Sequence, residues 1–315
     1  MISGVINTLD NLLDKTVVFG YDRIGFKVRA KAFNKADTDV DLSGRVALVT
    51  GANAGIGRAT TEALAERGAQ VIMVCRNRSK AETIIAELNS DYHLELEIAD
   101  LSEKKDVQQL LKRLQKKYQT IDILVNNAGV MLDEREENSA GLEKTFAINT
   151  LAYYRLIEGL RPLLKKSTDG RIINVSSGGM YLAALNNEDL FWQERPFDGV
   201  KAYAETKRQE VIMTEELAAS LLEDGITINA MHPGWVNTDA VKTSMPTFYS
   251  VTRAVLREPW QGADTIVWLA INPQLKDTTA KFWFDRKERE PHRLASTRAS
   301  QAERQKFMAR LRELA

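Results

Sequence analysis

A glycine-rich stretch between an apolar strand and a helix places the strongest limit on what this chain can fold into. Residues 45–50, RVALVT, are typical of a short buried strand, and residues 55–68 have the pattern of a helix. Gly51, Gly55 and Gly57 lie where the two meet. Glycines permit unusual backbone angles and close approach of a ligand, and a helix start offers unpaired N–H groups to a phosphate. The stretch therefore predicts the first βαβ unit of a nucleotide-binding sheet.

Strand and helix patterns alternate along most of the remaining chain. Nearly continuous apolar strands that alternate with helices indicate a parallel sheet covered on both faces. We therefore predict an α/β fold with a doubly wound, mostly parallel sheet (a Rossmann fold), which binds its ligand at the carboxyl ends of the strands. The predicted strands are 45–50, 69–75, 94–99, 121–126, 170–177, 226–231 and 281–284, and the helices are 55–68, 79–89, 104–118, 141–166, 202–223 and 261–271.

No linker or internal repeat divides the chain, so we expect a single domain over residues 42–285. Residues 1–41 form an N-terminal extension, with an amphipathic helix followed by a basic segment, and residues 286–315 form a tail with a C-terminal helix. The first helix is interrupted by Asp10 and Asp14, which makes it a poor membrane span. We expect it to dock on its own domain or on a partner subunit, with contact to a membrane surface as the alternative.

Composition excludes several classes of function. The chain has 43 Lys and Arg against 43 Asp and Glu, so its charge gives no reason to expect a nucleic-acid partner. Cys75 is the one cysteine, which rules out an internal disulfide framework and fits a cytoplasmic protein. The three histidines are scattered, and we expect no metal site. The expected partners are a small-molecule substrate and further copies of the chain in a homo-oligomer.

Tyr203 and Lys207 lie four residues apart in a predicted helix, so their side chains share one face. Alone, this spacing is weak evidence, because such pairs also occur on solvated surfaces. Ser176 and Ser177 follow the preceding strand, at the carboxyl edge of the predicted sheet, and Asn149 lies in the long helix before it. Each has a structural alternative as a cap or packing residue, but their order after the glycine-rich turn indicates a site.

The motif T-G-x-x-x-G-x-G, with VNNAG at 125–129 and the Y-x-x-x-K spacing, resembles the short-chain dehydrogenase/reductase family. The resemblance implies a catalytic tetrad of Asn149, Ser177, Tyr203 and Lys207, with Ser176 as the alternative serine. Tyr203 would exchange a proton with the substrate oxygen, and Lys207 would lower the phenol's pKa from about 10. Ser177 would orient that oxygen, and Asn149 would anchor a water that links Lys207 to solvent.

The end of the second strand predicts the cofactor. It reads VCRNRSK, with Arg76 and Arg78 and no acidic residue before Glu82, while Arg58 adds charge nearby. A guanidinium grips a phosphate well, so we expect NADP(H) in preference to NAD(H), mainly through Arg76. The alternative is that these are solvated charges at a helix start. By resemblance, Asn126 would also lie close to the cofactor, and the cofactor-binding set is Gly51, Asn53, Gly55, Ile56, Gly57, Arg76, Asp100, Leu101, Asn127, Ala128, Gly129, Tyr203, Lys207, Pro233, Gly234, Val236 and Thr238.

An apolar insert at 180–200 separates Ser177 from Tyr203, as in retinol dehydrogenases. Several short stretches of the chain also resemble one subgroup of the family, which is distantly similar to the retinol dehydrogenases. With residues 245–255 the insert would wall a pocket for an apolar carbonyl or alcohol, and we predict Ser177, Met180 and Phe191 as substrate-binding residues. A loop packed on its own sheet is an equal alternative. The expected function is an NADP(H)-dependent oxidoreductase, EC 1.1.1.-, that interconverts a carbonyl and an alcohol. The alternative is an NADP(H)-binding sensor or scaffold without turnover.

Overall fold

The structure is a computed structural model that describes residues 20–315. The amphipathic helix predicted near the N-terminus falls within residues 1–19 and therefore lies outside the described residues. The strands are β1 Val46–Thr50, β2 Gln70–Cys75, β3 Leu94–Ile98, β4 Ile123–Asn126, β5 Gly170–Val175, β6 Ile226–Met231, β7 Phe282–Phe284 and β8 Lys287–Glu288. They form one sheet in the order β3-β2-β1-β4-β5-β6-β7-β8, parallel except for the antiparallel pair β7 and β8. The predicted doubly wound, mostly parallel fold is confirmed.

Ten α-helical elements accompany these strands in the described residues. The long fifth helix contains one π-helical turn, Ala147–Leu151, between two α-helical parts. The helices are α1 Arg23–Ala30, α2 Gly55–Ala65, α3 Arg78–Glu87, α4 Lys104–Lys117, α5 Lys144–Phe146 and Ala152–Leu164, α6 Gly199–Glu223, α7 Asp239–Ser244, α8 Pro246–Thr252, α9 Pro259–Ile271 and α10 Gln301–Leu314.

Helices cover both faces of the sheet, which explains why its central strands are apolar without alternation. Leu48 of β1 faces a core cluster that also contains residues of α4, α5, α6 and α10. Its neighbours Ala47 and Val49 face the opposite cluster, which α2 and α9 cover. The sheet is therefore the middle of three layers, and its loops at the carboxyl edge are left free to form a site.

The C-terminal helix α10 is part of this packing. Ser300 accepts a hydrogen bond from the Glu303 N–H, and the Glu303 side chain accepts from the Ser300 N–H, which forms a capping box. Phe307, Met308 and Leu311 are buried in the same cluster as α5 and α6. The division into a domain over 42–285 and two extensions remains a prediction.

The described N-terminal residues are anchored by a buried cluster of Arg29, Arg257 and Asp285, called here the arginine–aspartate cluster. Asp285 accepts from Arg257 Nη1 at 2.6 Å and from Arg29 Nη1 at 2.9 Å. Arg257 also donates to the backbone carbonyls of Tyr21, at 2.9 Å, and Pro233, at 3.1 Å. The cluster thus joins three places in the fold: the segment before α1, the β7–β8 turn and the loop after β6.

Among residues 20–315, every helix is too short or too polar to cross a bilayer.

Candidate active site

A cavity of about 590 Å³ opens at the carboxyl ends of the central strands. It lies where the strand order reverses between β1 and β4, the place where doubly wound sheets bind ligands. The loops after β1 to β6 all contribute to it. Every residue of the predicted cofactor-binding set lines this cavity: Gly51, Asn53, Gly55, Ile56, Gly57, Arg76, Asp100, Leu101, Asn127, Ala128, Gly129, Tyr203, Lys207, Pro233, Gly234, Val236 and Thr238.

The glycine-rich turn fits a pyrophosphate. Gly51 has a φ of 65°, which a residue with a side chain rarely adopts. A Cβ atom at Gly57 would lie 2.2 Å from the Gly51 carbonyl oxygen, so this position tolerates no side chain. Ala54 precedes α2 and provides no side-chain cap to the helix start. The first N–H groups of α2 therefore remain available to an anion in the cavity.

Thr50, which the sequence analysis did not single out, links the glycine-rich turn to the loop after β4. Its hydroxyl oxygen accepts from the N–H groups of Asn127 and Ala128, each at 2.9 Å. Asn127 Nδ2 in turn donates to the Thr50 carbonyl at 2.8 Å. The available signal was a threonine directly before the first loop glycine. Asn126, by contrast, bonds to Asn174 within the sheet and does not line the cavity.

The arginines near the second strand differ in their partners. Arg58 donates to Glu62 at 2.9 Å and to Glu87 at 2.8 Å, and Arg78 pairs with Glu82 at 3.3 Å. Arg76 is exposed and lines the cavity, and within residues 20–315 it has no ion-pair partner. Of the three, Arg76 is therefore the guanidinium that remains available to a phosphate in this cavity.

Helix α6 positions Tyr203 and Lys207 on the cavity wall. Lys207 Nζ lies 5.4 Å from the centre of the Tyr203 ring and donates to the Val175 carbonyl at 3.0 Å. Burial alone would lower the pKa of Lys207, but the nearby charge of Glu210 and the Tyr203 oxygen outweigh it and raise the pKa. Lys207 therefore keeps its ammonium charge beside the phenol.

The two serines after β5 have different surroundings, although both line the cavity. Ser176 is buried, and its hydroxyl donates to the Lys207 carbonyl at 2.8 Å. The Ser177 oxygen accepts from the Gly179 N–H at 3.3 Å. That acceptor role leaves the Ser177 hydroxyl proton free to donate to a bound oxygen, so the geometry favours Ser177 over Ser176.

Asn149 lies in the π-helical turn of α5, a local irregularity that often occurs at functional sites. Its side chain accepts from the Val130 N–H and donates to the Val130 carbonyl, each at 2.9 Å. It also donates to Thr206 Oγ1 at 3.0 Å. A Cβ atom at Gly129 would lie 3.4 Å from both Asn149 Oδ1 and Lys207 Nζ, so both side chains lie next to the Gly129 backbone in the loop after β4.

Of the three predicted substrate residues, Ser177 lines the cavity, whereas Met180 and Phe191 do not. Met180 is fully buried in a cluster with aromatic residues of β7, and Phe191 packs on Phe146 with ring centres 5.0 Å apart. The insert folds back onto the protein, and both side chains pack there against other apolar residues. The apolar wall comes instead from the residues around α7 and α8 and the start of α6: Val200, Trp235, Val241, Met245 and Phe248.

In the part of the chain that the structure describes, no three His, Cys, Asp or Glu side chains come together as a metal site.

The glycine-rich turn, the cavity where the strand order reverses and the Tyr–Lys pair are features of oxidoreductases built on a doubly wound nucleotide-binding sheet. The chain belongs to the short chain dehydrogenase family, whose model matches residues 45–247. It is 42% identical over 300 residues to dehydrogenase/reductase SDR family member 12 of Bos taurus, with 94% of each chain covered. Human retinol dehydrogenase 13 is 31% identical over 261 residues, with 79% of each covered. The family and subgroup resemblance predicted from the sequence is confirmed.

Solved structures of the same fold contain the expected cofactor. The Pseudomonas aeruginosa RhlG/NADP active-site complex superposes with a TM-score of 0.65 at 25% identity, covering 78% of this chain and 96% of that one. A Shigella flexneri short chain dehydrogenase complexed with NADP has a TM-score of 0.64 at 27% identity, covering 78% and 98%. Family membership and these complexes support an oxidoreductase that binds a nicotinamide cofactor.

Proposed function

We propose that this protein is an NADP(H)-dependent oxidoreductase that interconverts a carbonyl and an alcohol on an apolar small molecule. One observation carries the proposal: Ser177, Tyr203 and Lys207 line the same cavity as the glycine-rich turn. A substrate that reaches the phenol would therefore lie beside the cofactor. When bound, the cofactor would supply or accept the hydride.

The protein's own side chains would transfer the proton and stabilise the charges that form during the transfer. The Tyr203 hydroxyl would donate a proton to the developing alkoxide, or accept one from an alcohol. The Lys207 ammonium, 5.4 Å from the phenol ring, would stabilise the phenolate. Ser177 would donate a hydrogen bond to the substrate oxygen. Asn149 would hold the loop after β4 in place through Val130.

The preference for NADP(H) over NAD(H) rests on Arg76. Its guanidinium lies at the cavity wall, at the end of β2, where an adenosine 2′-phosphate would need a cation. Asp100 and Leu101 line the cavity after β3 and would hold the adenine. The absence of an acidic residue between Cys75 and Glu82 removes the repulsion that would oppose the phosphate.

An apolar substrate is supported by the side chains on the opposite wall. Trp235 and Phe248 meet edge to face, with ring centres 5.0 Å apart, and Met245 lines the cavity next to them. Val200 also lines it and is 56% exposed. Because several relatives are named retinol dehydrogenases, retinol and retinal belong in the first panel of substrates, together with other apolar aldehydes, ketones and alcohols.

The test of this function is the Tyr203→Phe variant. We expect it to reduce kcat by roughly 100-fold or more on any substrate that the wild type turns over, because the proton donor is lost. Cofactor affinity should change little, because Lys207 and the glycine-rich turn remain. Steady-state absorbance at 340 nm measures turnover, and fluorescence titration measures NADPH binding.

Tyr92→Phe is the control variant, since Tyr92 lies before β3 and outside the cavity lining. Full activity in Tyr203→Phe would remove the phenol from the mechanism. Tight NADPH binding by a wild type that turns over no carbonyl or alcohol in the panel would favour the alternative, a sensor or scaffold protein.

A further inference from the structure

A buried acid lies directly behind Lys207. Glu210 is fully buried one helical turn further along α6, and its Oε1 accepts a hydrogen bond from Lys207 Nζ at 2.7 Å. The side chains of the pair are only 3% and 0% exposed. The second carboxyl oxygen, Oε2, has no hydrogen-bond partner among the described residues. Nothing in the proposed proton transfer uses this carboxyl group.

The surroundings of Glu210 contain few groups that could neutralise it. Lys207 on its own helix is the cation that acts on it, and Tyr203 lies beyond that lysine. From α5, Tyr153 is fully buried; its ring centre lies 5.6 Å from Lys207 Nζ, and its hydroxyl has no hydrogen-bond partner within residues 20–315. From β5, the nearest contribution is the Val175 carbonyl, which also accepts from Lys207. The carboxyl group therefore acts mainly on the lysine.

We propose that Glu210 is a positioning residue that holds the Lys207 ammonium and, through its own charge, sets the pH range in which Tyr203 can accept a proton. This inference rests on the proposed roles of Tyr203 and Lys207. A carboxylate at 2.7 Å offsets the ammonium charge, whereas a neutral carboxyl group at the same place leaves that charge fully effective toward the phenol.

The direction of the effect follows from burial. Burial raises the pKa of Glu210 to about 8, although the charge of Lys207 works against this rise. Below that pH the carboxyl group is mostly neutral, and the lysine stabilises the phenolate with its whole charge. Above it, the new carboxylate offsets part of the ammonium charge that faces the phenol. The rise of alcohol oxidation with pH should therefore be broad and displaced to higher pH in the wild type.

The experiment compares pH profiles of kcat for alcohol oxidation in the wild type and in Glu210→Gln. The glutamine keeps an acceptor for Lys207 Nζ and never ionises. We expect the rising limb of its profile to be steeper and to lie roughly half to one pH unit lower, with the largest difference above pH 8. The KM of the alcohol should change less than twofold, because Glu210 is too deeply buried to touch the substrate.

Two further variants separate this role from a structural one. Glu216→Gln removes the same charge about two turns along α6, where Glu216 pairs with Arg304 at 3.4 Å, and its profile should match that of the wild type. Glu210→Asp restores an ionisable group and should return the limb toward the wild-type position, even at a lower kcat.

Three outcomes would overturn the inference: superimposable profiles for the wild type and Glu210→Gln, a loss of kcat by the same factor at every pH, or an aspartate variant that behaves like glutamine. If Glu210→Gln does not fold, the wild-type profile is the test: a rising limb broader than a single ionisation supports the inference, and a limb that fits a single ionisation overturns it. Failure of the proposed function is distinguishable, because it would appear as full activity in Tyr203→Phe.

Discussion

At the scale of single residues, two arginines two positions apart have different surroundings. Arg78 forms an ion pair with Glu82 on α3, whereas Arg76, two residues earlier, lines the cavity. From the sequence, Arg76 was expected to make the main phosphate contact, but the partners of the two side chains were not known. The pairing of Arg78 with a residue four positions later does follow from helical spacing, once α3 is known to begin at Arg78.

Arg76→Asp should reverse the cofactor preference. We expect the Kd for NADP+ to rise roughly 10- to 100-fold, since a charge-assisted contact contributes about 1.5–3 kcal/mol and a repulsive carboxylate replaces it. The Kd for NAD+ should stay similar or fall. Fluorescence titration with both cofactors measures the effect.

The matched control is Arg78→Asp, which makes the same charge change two residues away and should alter either Kd less than about threefold. An equal loss of NADP+ affinity in both variants would indicate a general charge effect and count against a specific role for Arg76.

At the scale of elements, the β7–β8 turn is tied to the active-site loops by charge rather than by apolar packing alone. Asp285 and Arg286 have φ of 49° and 56°, the left-handed values of a type I′ hairpin turn. This turn presents Asp285 to Arg257 and Arg29 in the arginine–aspartate cluster. Because Arg257 also holds the Tyr21 and Pro233 carbonyls, the turn, the N-terminal segment and the loop after β6 form one unit.

Asp285→Asn should destabilise the protein by roughly 3 kcal/mol or more, because two buried guanidinium groups lose an ion-pair partner. Asparagine suits the left-handed backbone, so the substitution tests charge and not conformation. The free energy of unfolding in urea, followed by tryptophan fluorescence, measures the loss.

Glu288→Gln is the control in the same hairpin. Glu288 pairs with Lys281 at 2.8 Å, but the two side chains are 53% and 45% exposed. Removing this exposed pair should cost at most about 1 kcal/mol. If both variants lose stability equally, the arginine–aspartate cluster is not the anchor described here.

At the scale of the whole molecule, the site exists only because the sheet collects loops from distant parts of the chain. The glycine-rich turn after β1, Arg76 after β2 and Thr238 after β6 line one cavity although they are far apart in sequence. A ligand that binds all of them binds the folded state and not the unfolded chain, so it must stabilise the entire fold.

NADP+ should therefore raise the Tm, by an amount equivalent to about 2.7 kcal/mol at a concentration 100 times its Kd. NAD+ at the same concentration should give a smaller shift. Differential scanning fluorimetry or calorimetry measures both.

In Gly57→Val the side chain would collide with the Gly51 carbonyl, and the NADP+ shift should disappear. A shift of the same size in that variant would show that the cofactor binds elsewhere.

The sequence by itself determined the fold class and most of the candidate site. Strand and helix periods are local properties, and the spacing of Tyr203 and Lys207 places them on one helix face wherever that helix lies. The ligand edge of a doubly wound sheet then follows from its topology, and the family resemblance named most of the individual residues expected at that edge.

Only the tertiary structure decided which side chains reach the cavity and what partners they have. Met180 and Phe191 were predicted to contact substrate, yet packing within the fold holds both away from the lining. Thr50 joins two loops that are distant in sequence, because it accepts hydrogen bonds from Asn127 and Ala128, which lie 77 and 78 residues further along the chain. Glu210 follows Lys207 at helical spacing, but only the fold buries the pair and raises the pKa of the carboxyl group. Burial and long-range contacts depend on every element at once, so no local pattern records them.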